Sequence, residues 1–556
     1  PAATRRCLTR KNKTNCPRSL THLMLPDGKT DAKPAQALAA GKKPALEPFK
    51  SILFDRCDGP ITDAGNEQSV ALVDLQLNQI IAAVIAGREQ YDLEPFFLSP
   101  LRTLEQVTYR HAVLADLNLE GIRTAIDGFA RSLSDMRKHL KQAQTLRYPY
   151  QRMAVFVLAL EKYCSAVEEL RRALDDADPG SSGVLGFREY ADEYVDSHAF
   201  HTLATAARGV LTGLANIQYC FRIKGSKVTV SRYTSEPDQA QEVQDTFERF
   251  QQGILTNPVK NGRMIVDMDH VEALILDRVA RLFPDAFGAL DSCYQEHQGF
   301  ADGVMIRFDR EVQFYLAYLD HIAALEGVGV HFCIPTVTTS KCLAVENTFD
   351  LALAEVLAAK HRPVVTNDFW LRDPERIFVV SGPNQGGKTT FARTVGQLHY
   401  LAALGLPVAG TRAELFLPDK IFTHFERGEN LVDLRGKLMD DLVRIHNILE
   451  DVTPDSLVIL NEIFTSTTLA DAIDLGGKIL HQIASLGPVC VCVTFVDELS
   501  CLNEATVSMV SAVAAEDPSR RTFKVLRKKA DGLAHALVLA QKYRLTHDQL
   551  MERISS

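Results

Sequence analysis

No stretch of this 556-residue chain approaches the roughly 18 consecutive apolar residues that a membrane-crossing helix needs. The N-terminal positive charges are not followed by the apolar segment of a secretory signal, so neither a span nor secretion is expected, and a cytoplasmic protein is. Cysteine is sparse and scattered. Of 11, only Cys490 and Cys492 lie close together, alternating with valines in Val489–Val493, and no C-x-x-C spacing occurs. On a strand the two share one face and read as small core residues in a reduced compartment, not as a metal or redox turn. Low-complexity tracts and fixed-period repeats are also missing, which sets repeat arrays aside.

What is present is the composition of a soluble multidomain protein, 46% hydrophobic and 24% charged, at a length that suggests three or four cores. The net charge of −9 is unevenly spread. Residues 1–50 carry 11 Lys/Arg against 3 Asp/Glu, which leaves −17 for the remainder. Such a basic head holds a polyanion by counterion release or, more commonly, forms a solvated, disordered tail. The acidic body argues against a surface that coats DNA, although it leaves room for DNA in a local basic groove or inside a dimer.

The chemistry is concentrated at Ser381-Gly-Pro-Asn-Gln-Gly-Gly-Lys-Thr-Thr390, which follows the apolar run Ile377–Val380 and precedes the helical Phe391–Leu398. Strand, glycine-rich loop and helix in that order form a phosphate-binding loop. Gly382, Pro383, Asn384, Gln385, Gly386 and Gly387 let the backbone wrap a polyphosphate, and consecutive N–H groups with the helix N-terminus supply partial positive charge. Lys388 is placed to reach the terminal phosphates, Thr389 to ligate Mg²⁺, and Thr390 to complete the cradle. The expected ligands are a nucleoside triphosphate and Mg²⁺.

Around this motif the chain changes character. Helical spacing runs through Ser69–Ile85, 101–117, 119–143, 150–176 and 186–219, with a Pro/Gly/Ser break at 176–183. A short hairpin is expected at 221–233 with its turn at Gly225–Ser226, and helices resume at about 236–253 and 269–325 around a connecting loop at 257–268. After Gly327 short apolar pieces lead through a helix at 351–360 into alternating strands and helices from 371, the pattern of a parallel sheet covered on both faces. The expected division is a basic, disordered segment (1–50), a helical core (51–326), a connector (327–370) and a nucleotide-binding α/β domain (371–556).

A second apolar strand, Ser456–Leu460, ends on Asn461 and Glu462. Adjacent to the phosphate-loop strand, it would carry Glu462 to the γ-phosphate as general base or water-orienting group and Asn461 to the Mg²⁺ shell. The two motifs together, Gly382–Thr390 and Asn447–Ile463, resemble the ATPase domain of the MutS family of DNA mismatch-repair proteins. The Gly-Pro-Asn before Gly-Gly-Lys is the discriminating part, and the likeness covers roughly 371–550, with a weaker one at Phe97–His111. The resemblance implies an ABC-type P-loop ATPase domain preceded by a mostly α-helical core and lever domain. It also implies nucleotide sites completed across a homodimer or heterodimer interface, DNA and DNA-repair proteins as partners, and an aromatic, Phe369, placed to stack on adenine or else to serve as a core ring.

The departures from that family are specific. Asn461 stands where Asp is usual, and Thr494-Phe495 where Thr-His is common. Residues 463–468 keep hydroxyls but lack glycines, and Leu434–Leu442 carries Gly436-Lys437 where a serine is typical. No segment before residue 90 reads as a mismatch-reading domain, so direct mismatch recognition is not expected. Residues 534–554 resemble the closing helix of the ATPase domain, and the basic strand 520–529 is expected to keep a sheet edge soluble. The reading that follows is an ATPase, slow in hydrolysis, that drives conformational change on DNA. Its rivals are an ATP-gated dimeric scaffold that recruits proteins and, more remotely, a P-loop phosphotransferase.

Overall fold

The computed structural model describes residues 16–19, 49–55, 66–224, 227–234, 268, 270–426, 436–514, 516, 520–530 and 551. Contacts divide the chain into two compact units, one of residues 1–49, 116–180 and 184–309, the other of 50–115, 181–183 and 310–556. The boundaries differ from those drawn by composition. Residues 51–115, read above as part of the helical core, and the connector both belong to the unit that contains the phosphate loop.

The first unit is built on two long helices, Glu120–Thr145 and Pro149–Ala177. Ile122, Ile126, Phe129, Leu133 and Met136 recur at helical spacing and are buried, while Pro149 opens the second helix where its missing N–H costs nothing. The stretch expected as one helix over 186–219 is two, Ser182–Val195 and His198–Ala215. The break occurs because the Ser197 hydroxyl takes the Phe200 N–H and starts a new helix. The hairpin is present as Gln218–Lys224 against Lys227–Arg232, and its turn lies outside the described residues. Cys16–Ser19 adds a third strand antiparallel to Gln218–Phe221, so these four residues of the segment expected to be disordered are ordered. Helices at 270–282 and 284–296 complete the unit's described part, and Gly303–Glu326 runs on into the second unit's residues. The expected helix at 236–253, the loop at 257–267 and, apart from Met551, the expected helix at 534–554 lie outside the described residues.

The second unit holds a six-stranded sheet in the order Ile421–Phe425, Leu457–Asn461, Val489–Val493, Ile377–Ser381, Thr506–Val513, Arg521–Arg527. All neighbours are parallel except the last pair. The inner strands Leu457–Asn461, Val489–Val493 and Ile377–Ser381 are buried throughout and correspondingly apolar, as strands covered on both faces must be. Cys490 and Cys492 are wholly buried there, and burial pushes both thiols up, Cys492 to about 12. A second, four-stranded sheet runs Thr336–Thr338, Arg412–Phe416, Leu343–Thr348, Asn367–Leu371. The connector thus supplies three strands of that sheet.

The sheet order corrects one expectation. Leu457–Asn461 is not adjacent to the phosphate-loop strand, because Val489–Val493 lies between them. The carboxylate strand still ends at the same edge, since all three run parallel.

Candidate nucleotide site

The phosphate loop leaves Ser381 through Gly382 at φ +114° and enters the helix Lys388–Ala403 through Gly387 at φ +96°, two left-handed positions at which a side chain would be strained. Gln385 is also left-handed, at φ +59°. The neighbouring strand pins the loop in place. The buried Ser511 hydroxyl donates to the Gly386 carbonyl at 2.6 Å, and a Cβ on Gly386 would fall 2.2 Å from that hydroxyl. Only glycine fits so close an approach.

The helix behind the loop is buried nearly all round and is fastened at every turn. Arg393 pairs with the buried Asp350 at 2.7 Å, and Gln397 joins Leu75 O, Asp350 and Leu351 N. Tyr400 donates to Phe97 O at 2.8 Å. At the helix's C-terminal end the wholly buried Arg110 donates to Leu404 O at 2.7 Å and Leu53 O at 3.1 Å, between the rings of Phe54 and Phe314. These contacts explain why residues 50–115 belong with the six-stranded sheet.

At the front of the helix, the Lys388 ammonium donates to Gly382 O (3.0 Å), Pro383 O (3.4 Å) and Asn384 Oδ1 (3.1 Å), and lies 3.8 Å from Glu462 Oε1. Desolvation lowers its pKa and the nearby Glu462 carboxylate opposes that shift. The Thr389 hydroxyl donates to Asn461 Oδ1 at 3.0 Å across the intervening strand, and Asn461 is buried. The Thr390 carbonyl accepts the Thr394 hydroxyl.

Glu462 is held in a left-handed conformation, φ +55°, while its N–H donates to Val493 O; Phe464, two residues on, is left-handed as well and wholly buried. Each such residue costs on the order of 1–3 kcal/mol. The turn they make stops the strand abruptly and presents the carboxylate, about a third exposed, toward the lysine. Residues from the start of one helix and the end of one strand thus meet: an ammonium, a hydroxyl, an amide oxygen and a carboxylate. The oxygens are the hard donors that Mg²⁺ accepts alongside phosphate and water.

Several expected roles move. Phe369 is 1% exposed, locked edge-on between Phe378 and Phe391, so its ring has no face to offer a base and is a core residue. The exposed aromatic beside the loop is Phe523, half-exposed at φ +59°, with its backbone against Gly387 and its carbonyl accepting from Asn367. Sequence reading missed it because it lies inside a basic edge strand, where nothing in the pattern marks a bulge. The Thr467 and Thr468 hydroxyls are used locally, both donating to Asp471 at the start of the helix Leu469–Leu486. Thr494 takes the Val496 N–H, and Phe495 is 48% exposed. Of the segment Leu434–Leu442, residues 434–435 lie outside the described residues. Gly436 caps the helix Lys437–Asp451, which is tied to the sheet by a buried His424–Asp441 pair at 3.1 Å.

Residues 378–539 match the family model for MutS domain V. That segment is similar to domain V of the MutS family. Domain V is the ATPase domain of MutS proteins, and the matched span runs from the phosphate-loop strand through Glu462 and Phe495 to beyond the basic edge strand. Mixed helical and α/β architecture accords with that domain. Among the described residues no helix is long and apolar enough to cross a membrane.

Proposed function

We propose that this chain is a MutS-family, ABC-type ATPase that binds MgATP at residues 381–390 and hydrolyses it slowly, at an interface between two copies. The convergence of Lys388, Thr389, Asn461 and Glu462 carries this reading. The loop N–H groups and Lys388 bind the phosphates, Thr389 and Asn461 would hold Mg²⁺, and Glu462 orients or deprotonates the attacking water. A bound Mg²⁺ would neutralise charge developing on the phosphates. Phe523 takes the base-stacking place that Phe369 cannot fill. The exposed Phe495, two residues beyond the strand Val489–Val493, and Leu469, at the start of the helix Leu469–Leu486, give a second copy apolar surface to cover.

The work of the cycle is conformational change on DNA, in repair or related processing, in the cytoplasmic compartment. Turnover tests the enzyme reading: Glu462→Gln should retain ATP binding and lose hydrolysis. Equal, near-zero rates in both forms would sink that reading in favour of an ATP-gated scaffold that recruits protein partners. Two observations favour the scaffold as the second reading, the neutral Asn461 at the metal position and the apolar Phe495 where a hydrogen-bonding side chain is usual. Stimulation of ATPase by duplex, branched or single-stranded DNA tests the DNA arm.

A further inference from the structure

In a regular strand Phe523 would share a face with Val525, two residues on. Val525 is 2% exposed, whereas Phe523 is half-exposed. The difference arises at a bulge: Ser511 pairs with Val525 and Val513 with Arg521, so Thr522, Phe523 and Lys524 together stand opposite Ala512 alone. Phe523 takes up the excess by turning left-handed, at φ +59°. A phenylalanine persists in that conformation only where its surroundings fix it.

Two sets of contacts do so. From inside the sheet the Thr522 hydroxyl donates to Ala512 O at 2.7 Å and accepts the Lys524 N–H at 3.3 Å. From outside, Asn367, the first residue of the strand Asn367–Leu371 in the four-stranded sheet, spans the kink. Its Nδ2 donates to Phe523 O at 3.4 Å and its Oδ1 accepts the Val525 N–H at 2.7 Å. Among the described residues Arg521–Arg527 is the last strand of its sheet, so no neighbouring strand serves that side. A side-chain amide carries a donor and an acceptor together and supplies both bonds. On the loop side the same backbone lies against the turn into the phosphate-loop helix, since a Cβ on Gly387 would stand 3.6 Å from Phe523 O and 3.9 Å from Phe523 Cβ.

We infer that Asn367 is a positioning residue of the nucleotide site: by holding the bulge it fixes the Phe523 ring for stacking, and so sets how strongly the site prefers a purine nucleoside triphosphate to the same phosphates without a base. The inference rests on the reading of residues 381–390 as a nucleotide site with Phe523 as its stacking ring. Both Asn367 bonds are to backbone, so it acts through Phe523. Stacking rewards ring area, which a purine offers more of than a pyrimidine.

The test uses the full chain with Mg²⁺ and follows ATP, CTP and tripolyphosphate by calorimetry. Asn367→Ala should weaken ATP about tenfold, within the range of one lost base stack, narrow the gap between ATP and CTP, and leave tripolyphosphate within about twofold. Retained tripolyphosphate binding also shows that the variant is folded. In a Phe523→Ala background Asn367→Ala should cost ATP affinity almost nothing more. Asn367→Asp keeps an acceptor for the 2.7 Å bond and should retain more of the ATP-to-tripolyphosphate ratio than Asn367→Ala. An unchanged ATP affinity in Asn367→Ala, an equal loss for ATP and tripolyphosphate, or a loss undiminished in Phe523→Ala overturns the inference and leaves the nucleotide site standing. Tripolyphosphate bound equally by the wild type and Lys388→Ala overturns both.

Discussion

A single methyl group at Gly386 tests whether the phosphate loop is held in a binding-ready shape by the neighbouring strand. In Gly386→Ala the new Cβ would lie 2.2 Å from Ser511 Oγ and 2.9 Å from Pro383 O. The serine hydroxyl can rotate away only by giving up its 2.6 Å bond to Gly386 O. Pro383 O is loop backbone and cannot rotate away at all. Overpacking of this kind costs about 1–3 kcal/mol, and the lost hydrogen bond about 1 kcal/mol more. Because the displaced atoms are those that would cradle phosphate, the expected consequence is a MgATP complex about thirtyfold to several-hundredfold weaker, at about 1.4 kcal/mol per tenfold. Titration with a fluorescent ATP analogue reads the affinity, and a circular-dichroism melt confirms that the sheet persists. Ser511→Ala alone should weaken binding a few-fold. The double variant should bind better than additivity allows, by about 1 kcal/mol, since one of the two clashes disappears and the Pro383 clash remains. Wild-type affinity in Gly386→Ala, or strict additivity in the cycle, would refute the argument that Ser511 shapes the loop.

Three further outcomes are expected. Asn461→Asp places a full negative charge 3.0 Å from the Thr389 hydroxyl, so half-saturation by Mg²⁺ in an ATP-binding assay should fall about five- to tenfold and turnover should rise; an unchanged Mg²⁺ dependence would remove Asn461 from the metal shell. Arg110→Met leaves the Leu53 and Leu404 carbonyls without their buried donor, a loss of about 2–4 kcal/mol in denaturant unfolding, and a loss under 1 kcal/mol would contradict the fastening role given to it. Burial lowers the His399 pKa from 6.5 to about 4, so between those values the unfolded chain binds more protons than the folded one. Stability should therefore fall as pH drops from about 6.5 to 4, by up to about 3 kcal/mol, and His399→Gln should flatten that slope; an identical slope in the variant would place the acid sensitivity elsewhere.

The phosphate loop was legible because its residues are consecutive and each is required by local geometry. The left-handed glycines, the lysine and the threonine sit on one turn, and an apolar strand and a helix flank them. Asn461 and Glu462 were legible for the same reason, as the polar end of an apolar strand. Strand order was not, because a parallel sheet is assembled by crossovers, and nothing in Val489–Val493 announces that it inserts between two other strands. Phe369 shows a different limit. A phenyl ring reads alike in sequence whether it stacks on a ligand or fills a core, and the decision was made by Phe378 and Phe391, 9 and 22 residues away. Phe523 shows the converse, since its exposure comes from a backbone kink in a strand whose letters look regular. The attachment of residues 50–115 to the nucleotide-binding unit depends on side chains such as Arg110, whose partners Leu53 and Leu404 lie 57 and 294 positions off. Helical periodicity reports which face of a helix is buried, but not against what.

Equilibrium binding of MgATP to the intact chain and to Lys388→Ala tests the central claim most directly. One ATP per chain is expected for the wild type. Loss of a charge-assisted phosphate contact worth about 2–3 kcal/mol should leave Lys388→Ala bound thirty- to hundredfold more weakly. Equal affinity in the two proteins, or no ATP bound by either, would contradict the assignment of residues 381–390 as the nucleotide site.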